Sequence, residues 1–80
     1  MKKYTVILIY PDYIATRYGE EFYTARVLAK DPEDALREAR RQAVVANGGS
    51  LNPLLGNYIH PVDFASAAVF EGFHDNVSPE

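Results

Sequence analysis

An unbroken run of β-branched, aromatic and aliphatic residues, Tyr4-Thr5-Val6-Ile7-Leu8-Ile9-Tyr10, opens the chain. Both alternating sets are apolar, with Tyr4, Val6, Leu8 and Tyr10 on one face and Thr5, Ile7 and Ile9 on the other. A strand wetted on one side alternates apolar with polar, so this pattern predicts a strand at the centre of a sheet. Pro11-Asp12 ends it, because proline has no N–H for the ladder. Residues 13–20 read as a long hairpin connection with Gly19 at the turn. A second strand follows over residues 21–29. Its positions Tyr23, Ala25, Val27 and Ala29 form an apolar face, small at two places, that suits the close approach of a helix. Phe22, Thr24, Arg26 and Leu28 form a mixed, half-exposed face.

Asp31-Pro32-Glu33-Asp34 is a helix start. Asp31 caps the free amides, Pro32 fits the first helical position, and Glu33 and Asp34 complement the positive helix end. The helix runs to Ala46 on an apolar stripe of Ala35, Leu36, Ala39, Ala43 and Ala46, flanked by Val44 and Val45. Glu33 with Arg37 and Glu38 with Arg41 are spaced for pairing on the wet face. Asn47-Gly48-Gly49 stops the helix. Residues 50–61 are irregular yet rich in Leu51, Leu54, Leu55, Tyr58 and Ile59. The last strand covers residues 65–73, with Phe64, Ala68 and Phe70 on one face and Ala67, Val69 and Phe73 on the other. Residues 77–80 are expected to fray.

The order strand, strand, helix, strand predicts a single α+β domain over residues 1–80. Its three-stranded antiparallel sheet has the order 2-1-3 and one helix packed on one face (ββαβ). One helix leaves the other face uncovered. The Leu51–Ile59 loop is the first expected cover, followed by a second copy of the chain, as a homodimer, or another partner.

Composition narrows function mainly by exclusion. Eighty residues hold one small core, with no second lobe to close over a substrate. Eleven acidic against eight basic residues give a net charge of −3, which argues against a nucleic-acid partner, since phosphate neutralisation needs a basic face. The absence of cysteine removes disulfides, zinc–thiolate sites and thiol nucleophiles. No apolar run approaches the ~20 residues of a membrane span, so the expected location is cytoplasmic.

Candidate chemistry has simpler explanations. His60 with Asp63, and His74 with Asp75 and Glu71, offer two or three metal ligands each, but both histidines fall beside loops and read as exposed. The acids Asp31, Glu33 and Asp34 are accounted for by helix capping. Gly48-Gly49 follows a helix, whereas a phosphate loop precedes one. Ser50, Ser66 and Ser78 lack the setting of a nucleophile. Arg26, Arg37, Arg40 and Arg41 are interleaved with Glu33 and Glu38, which reads as a solvated helix face. The expectation is therefore a non-enzymatic protein with neither cofactor nor metal.

Tyr4–Asp12, the stretch Ala29-Lys30-Asp31-Pro32-Glu33-Asp34-Ala35 and the ending Ala67-Ala68-Val69-Phe70-Glu71-Gly72-Phe73 together resemble a family of very short hypothetical proteins of phage and prophage regions. The resemblance covers the strands and the helix but not residues 13–20 or 47–62. It implies a phage-derived protein and brings no catalytic residue with it. A second likeness, to HicB-type antitoxins, fails on a third strand before the helix. The reading that follows is a small acidic protein-interaction module, with a modulator or anti-defence inhibitor of a host protein as one concrete form. Its expected surface is the first loop, unusually aromatic for a surface connection: Tyr10, Asp12, Tyr13, Arg17 and Tyr18, with Phe22 beside it. The competing structural account is that several of these residues cap a small core. The alternative function is a small-ligand or nucleotide site between residues 10–18 and 50–59.

Overall fold

Strand β1 (Lys2–Ile9) lies between β2 (Phe22–Ala29) and β3 (Ala65–Glu71) and is antiparallel to both. The computed structural model describes residues 1–14 and 21–73. Arg17, Tyr18, Gly19, His74, Asp75 and the tail at 77–80 lie outside the described residues. The ββαβ order and the 2-1-3 sheet are as the sequence predicts, because β1 is apolar on both faces and takes the centre.

Helix α1 (Pro32–Ala46) begins as the acidic signature requires. The Asp31 carboxylate accepts from the Asp34 N–H at 2.8 Å, satisfying one of the free donors of the first turn. At the other end Asn47 caps the helix and Gly48 takes φ +73°, a conformation that suits glycine. Ala35, Ala39, Ala43 and Val44 are the buried helix residues. Their small size lets α1 sit close over Ala25 and Ala29 of β2, while Val6, Leu8 and Phe64 supply the bulk of the core. Each of those large side chains contributes about 1.5–3 kcal/mol by leaving water. Ala46, placed on the apolar stripe by spacing, is exposed, because the stripe rotates past the sheet in the last turn.

Two hydrogen bonds show how β1 divides its backbone. Tyr10 N donates to Glu21 O at 2.9 Å, directly opposite in the continued β1–β2 register. Gly72 N donates to Lys3 O at 2.7 Å across the β1–β3 register. Hydrogen-bonded pairs alternate in an antiparallel ladder. Even-numbered β1 residues therefore bond to β2 and odd-numbered ones to β3. The buried Thr5 hydroxyl adds a bond to Gly72 O at 2.8 Å, tying down the end of β3.

The β1–β3 ladder contains a bulge. Ile7 pairs with Ala68 but Leu8 pairs with Ser66, leaving Ala67 as the extra residue. This corrects the alternation read from sequence, which put Phe64, Ala68 and Phe70 on one face. The added residue reverses the sidedness below it. Ala68 and Phe70 lie across from Ile7 and Thr5 on the face away from the helix, whereas Phe64 turns into the helix-side core and is fully buried.

The segment between α1 and β3 also departs from expectation. It does not spread its leucines over the far sheet face: Leu54 is 90% exposed, and Leu51 and Leu55 are exposed as well. Its anchor is Ile59, which packs on the helix-side core and against Gly49. A parallel bridge between Ser50 and Tyr58 closes the loop on itself. A 3-10 turn at Pro61–Asp63 then delivers Phe64.

Candidate functional site

The structure separates the aromatic residues of the first loop into two groups. Tyr10 is only 7% exposed, with its ring edge-on to Tyr23 (6.1 Å between centroids, 84° between planes) and tilted against Phe64 at 5.8 Å. Ile14 is buried in the same cluster. These two close the end of the core, which follows from a helical turn at residues 12–14 where the sequence suggests open loop. Asp12 and Tyr13 face outward, and Tyr13 donates its hydroxyl to Asp63 at 2.8 Å. Its phenol is pushed up to about 12, by loss of water around it first and then by the bond to, and the charge of, the Asp63 carboxylate. Tyr23 is also raised, by burial.

Three of the residues singled out from sequence do meet. Tyr10, Asp12 and Phe22, with Ile9 and Glu21, line a surface depression of about 300 Å³. Phe22 is 41% exposed and pairs directly with Ile9, itself exposed on the side of the sheet away from α1. Leu28, Phe70 and Phe73 are exposed at the same end of the scale, and Lys3 Nζ lies 5.4 Å from the Phe73 ring centroid. The depression thus has an apolar floor and two carboxylates, Asp12 and Glu21, at its margin.

The loops proposed as a ligand cleft also approach each other. Tyr13 and Ile14 face Asn57, Tyr58 and Ile59 across the end of α1, enclosing about 220 Å³. Ligand pockets usually run from about 300 to 1,000 Å³. Two of its amides are already engaged, Asn47 Nδ2 donating to Ala43 O at 2.8 Å and Asn57 Nδ2 to Gly48 O at 3.1 Å. The space is small and largely satisfied.

Charged side chains on α1 are held by neighbours. Arg37 pairs with Asp34 at 2.9 Å, not with Glu33 as spacing suggests. Arg41 pairs with Glu38 at 3.6 Å, and Arg40 Nε donates to Phe64 O at 2.8 Å. His60 is exposed, its ring beside Tyr58 and its Nδ1 facing the Val62 N–H at 3.4 Å, while Asp63 serves Tyr13. Among the described residues no group of three histidine, aspartate or glutamate side chains is placed to hold a metal, and no helix is long and apolar enough to cross a membrane.

One feature was not legible in the sequence. A groove of about 550 Å³ runs between the outer edge of β2 and α1, lined by Val27, Leu28, Val45 and Leu51, with Glu38 and Arg41 above. Its only sequence signal is that Val45 lies off the helix's core stripe. Neither a protein-family model, nor a curated protein, nor a solved structure matches the chain.

Proposed function

We propose that the chain is a non-enzymatic protein-interaction module that docks the apolar, basic-rimmed surface of a partner protein. The observation that carries this reading is the depression at the Ile9–Phe22 pair, whose apolar floor is edged by Asp12 and Glu21. An exposed aromatic beside aliphatic neighbours is the kind of residue that dominates interface energetics. The two carboxylates, in a chain of net charge −3, select a partner with lysine or arginine around an apolar knob. In the setting implied by the phage-type resemblance, that partner is a host protein whose activity the module modulates.

The test is affinity capture followed by titration of the captured protein against variants that stay folded by circular dichroism. Phe22→Ala is expected to weaken binding by about 30-fold or more, the effect of losing a hot-spot side chain. Asp12→Asn with Glu21→Gln should slow association and reduce its salt dependence. Leu54→Ala, on the far loop, serves as the control. Equal binding by wild type and Phe22→Ala would reject the reading.

A further inference from the structure

We infer that β2 is a self-pairing edge: two copies of this chain join antiparallel along β2, about a two-fold axis at Ala25, with Thr24 opposite Arg26 of the second copy and Phe22 opposite its Leu28.

The backbone supplies the first argument. The bond from Tyr10 N to Glu21 O assigns the hydrogen-bonded β1–β2 pairs to Leu8 with Tyr23, Val6 with Ala25 and Tyr4 with Val27. The intervening residues, Phe22, Thr24, Arg26 and Leu28, therefore turn their N–H and C=O groups away from β1. Among the described residues no strand lies on that side of β2. Edge strands are normally blunted by proline, a bulge or inward charge. The β3 edge has a bulge at Ala67, but β2 runs eight residues in even register with neither bulge nor proline. Of the two edges, β2 is the one with an unbroken register, its single charged residue being Arg26.

Register provides the second. A sheet continued across a two-fold axis keeps its faces, so opposing residues share a face, and the new hydrogen-bonded pairs come from the outward-turned set. An axis at Arg26 sets two like charges directly opposite each other, which is destabilising. An axis at Thr24 carries Leu28 beyond the end of the other strand. An axis at Ala25 opposes Phe22 to Leu28, Tyr23 to Val27 and Thr24 to Arg26, so aromatic meets aliphatic on both faces and the arginine meets a hydroxyl.

The groove beside β2 is the third. Val27 lines it on the helix side of the sheet, Val45 and Leu51 are exposed there, and a second copy's α1 arrives on the same side of the extended sheet. The charges lining the groove are one acid, Glu38, which pairs with Arg41, and a second base, Arg26, so both signs are present where the two copies meet. The product is a six-stranded sheet with both helices on one face. The inference shares Phe22 with the partner surface proposed above, but the two readings are tested separately. A dimer that captures nothing refutes only the docking reading, and a monomer that binds a partner refutes only this one.

Sedimentation of the unmodified chain from micromolar to millimolar concentration is the primary test, with a species at twice the 9.0 kDa chain mass expected. A 9.0 kDa species throughout overturns the inference. Because the chain has no cysteine, single substitutions serve as a register ruler. Opposite residues in a hydrogen-bonded pair have Cα atoms about 5.5 Å apart, within disulfide reach, whereas diagonal ones are about 7–8 Å apart. Under mild oxidation, Thr24→Cys mixed with Arg26→Cys should form a disulfide-linked dimer, and neither variant alone should do so. Cross-linking in each variant alone, or in none of the three samples, overturns the register, with circular dichroism confirming that both variants are folded.

Discussion

The Tyr13 hydroxyl donates to the Asp63 carboxylate at 2.8 Å, joining positions fifty residues apart in the chain. This bond ties the helical turn after β1 to the 3-10 turn before β3, the two segments that enclose Tyr10, Ile14 and Phe64. It has a consequence at alkaline pH. The Tyr13 phenol is held up to about 12 in the folded protein, against an unfolded value of 10.0. The folded state then binds more protons than the unfolded state in that window, so the stabilisation is complete below pH 10 and fades between pH 10 and 12. Ultraviolet titration of the tyrosines should show a late phase near pH 12 that Tyr13→Phe removes. At neutral pH the same substitution should cost about 0.5–1.5 kcal/mol or less, since Tyr13 is 56% exposed.

Phe64→Ala should be the most damaging single change in the helix-side core. The side chain is fully buried and packs against Tyr10. Truncating a buried phenylalanine costs about 3–5 kcal/mol. A domain of this size has about 4–12 kcal/mol in all, so the variant should be largely unfolded or melt far below wild type in a thermal scan.

Gly49 is required for space. A Cβ there would fall 2.5 Å from Ile59 Cδ1 and 3.1 Å from Val44 Cγ1. Gly49→Ala should therefore cost about 1–3 kcal/mol by overpacking. Ile59→Ala in the same chain should recover part of that loss, which a double-mutant cycle by urea denaturation would measure. Purely additive costs would assign the effect to backbone conformation instead.

Asp31→Ala should lower stability by about 0.5–2 kcal/mol while leaving partner binding unchanged, because its carboxylate is engaged with the Asp34 N–H. Asp31→Asn, which keeps an acceptor, should recover most of it. Lost binding at an unchanged melting temperature would make the acidic turn a site instead of a cap.

Local signals in the sequence were sufficient for the frame. The two-sided apolar pattern of Tyr4–Tyr10 put β1 in the middle, Asp31-Pro32 started α1, and Asn47-Gly48 ended it, each through interactions within a few residues. The small residues Ala25 and Ala29 likewise marked the β2 face that takes the helix.

Tertiary structure alone decided the parts that matter for a binding surface. A period-two pattern over residues 64–73 cannot register one unpaired residue, because the alternation is equally apolar on either side of Ala67. Only pairing with β1 sends Phe64 inward and Phe70 outward. Nor does aromatic content distinguish Tyr10, in the core, from Tyr13, at the surface. That choice depends on Tyr23 of β2 and Phe64, at the end of the 3-10 turn before β3, packing against one ring. The β2–α1 groove and the Ile9–Phe22 depression arise in the same way. Hydrophobicity dictates that a side chain seeks cover, but which side chains find it depends on the geometry of the whole chain, and those left over form the surface offered to a partner.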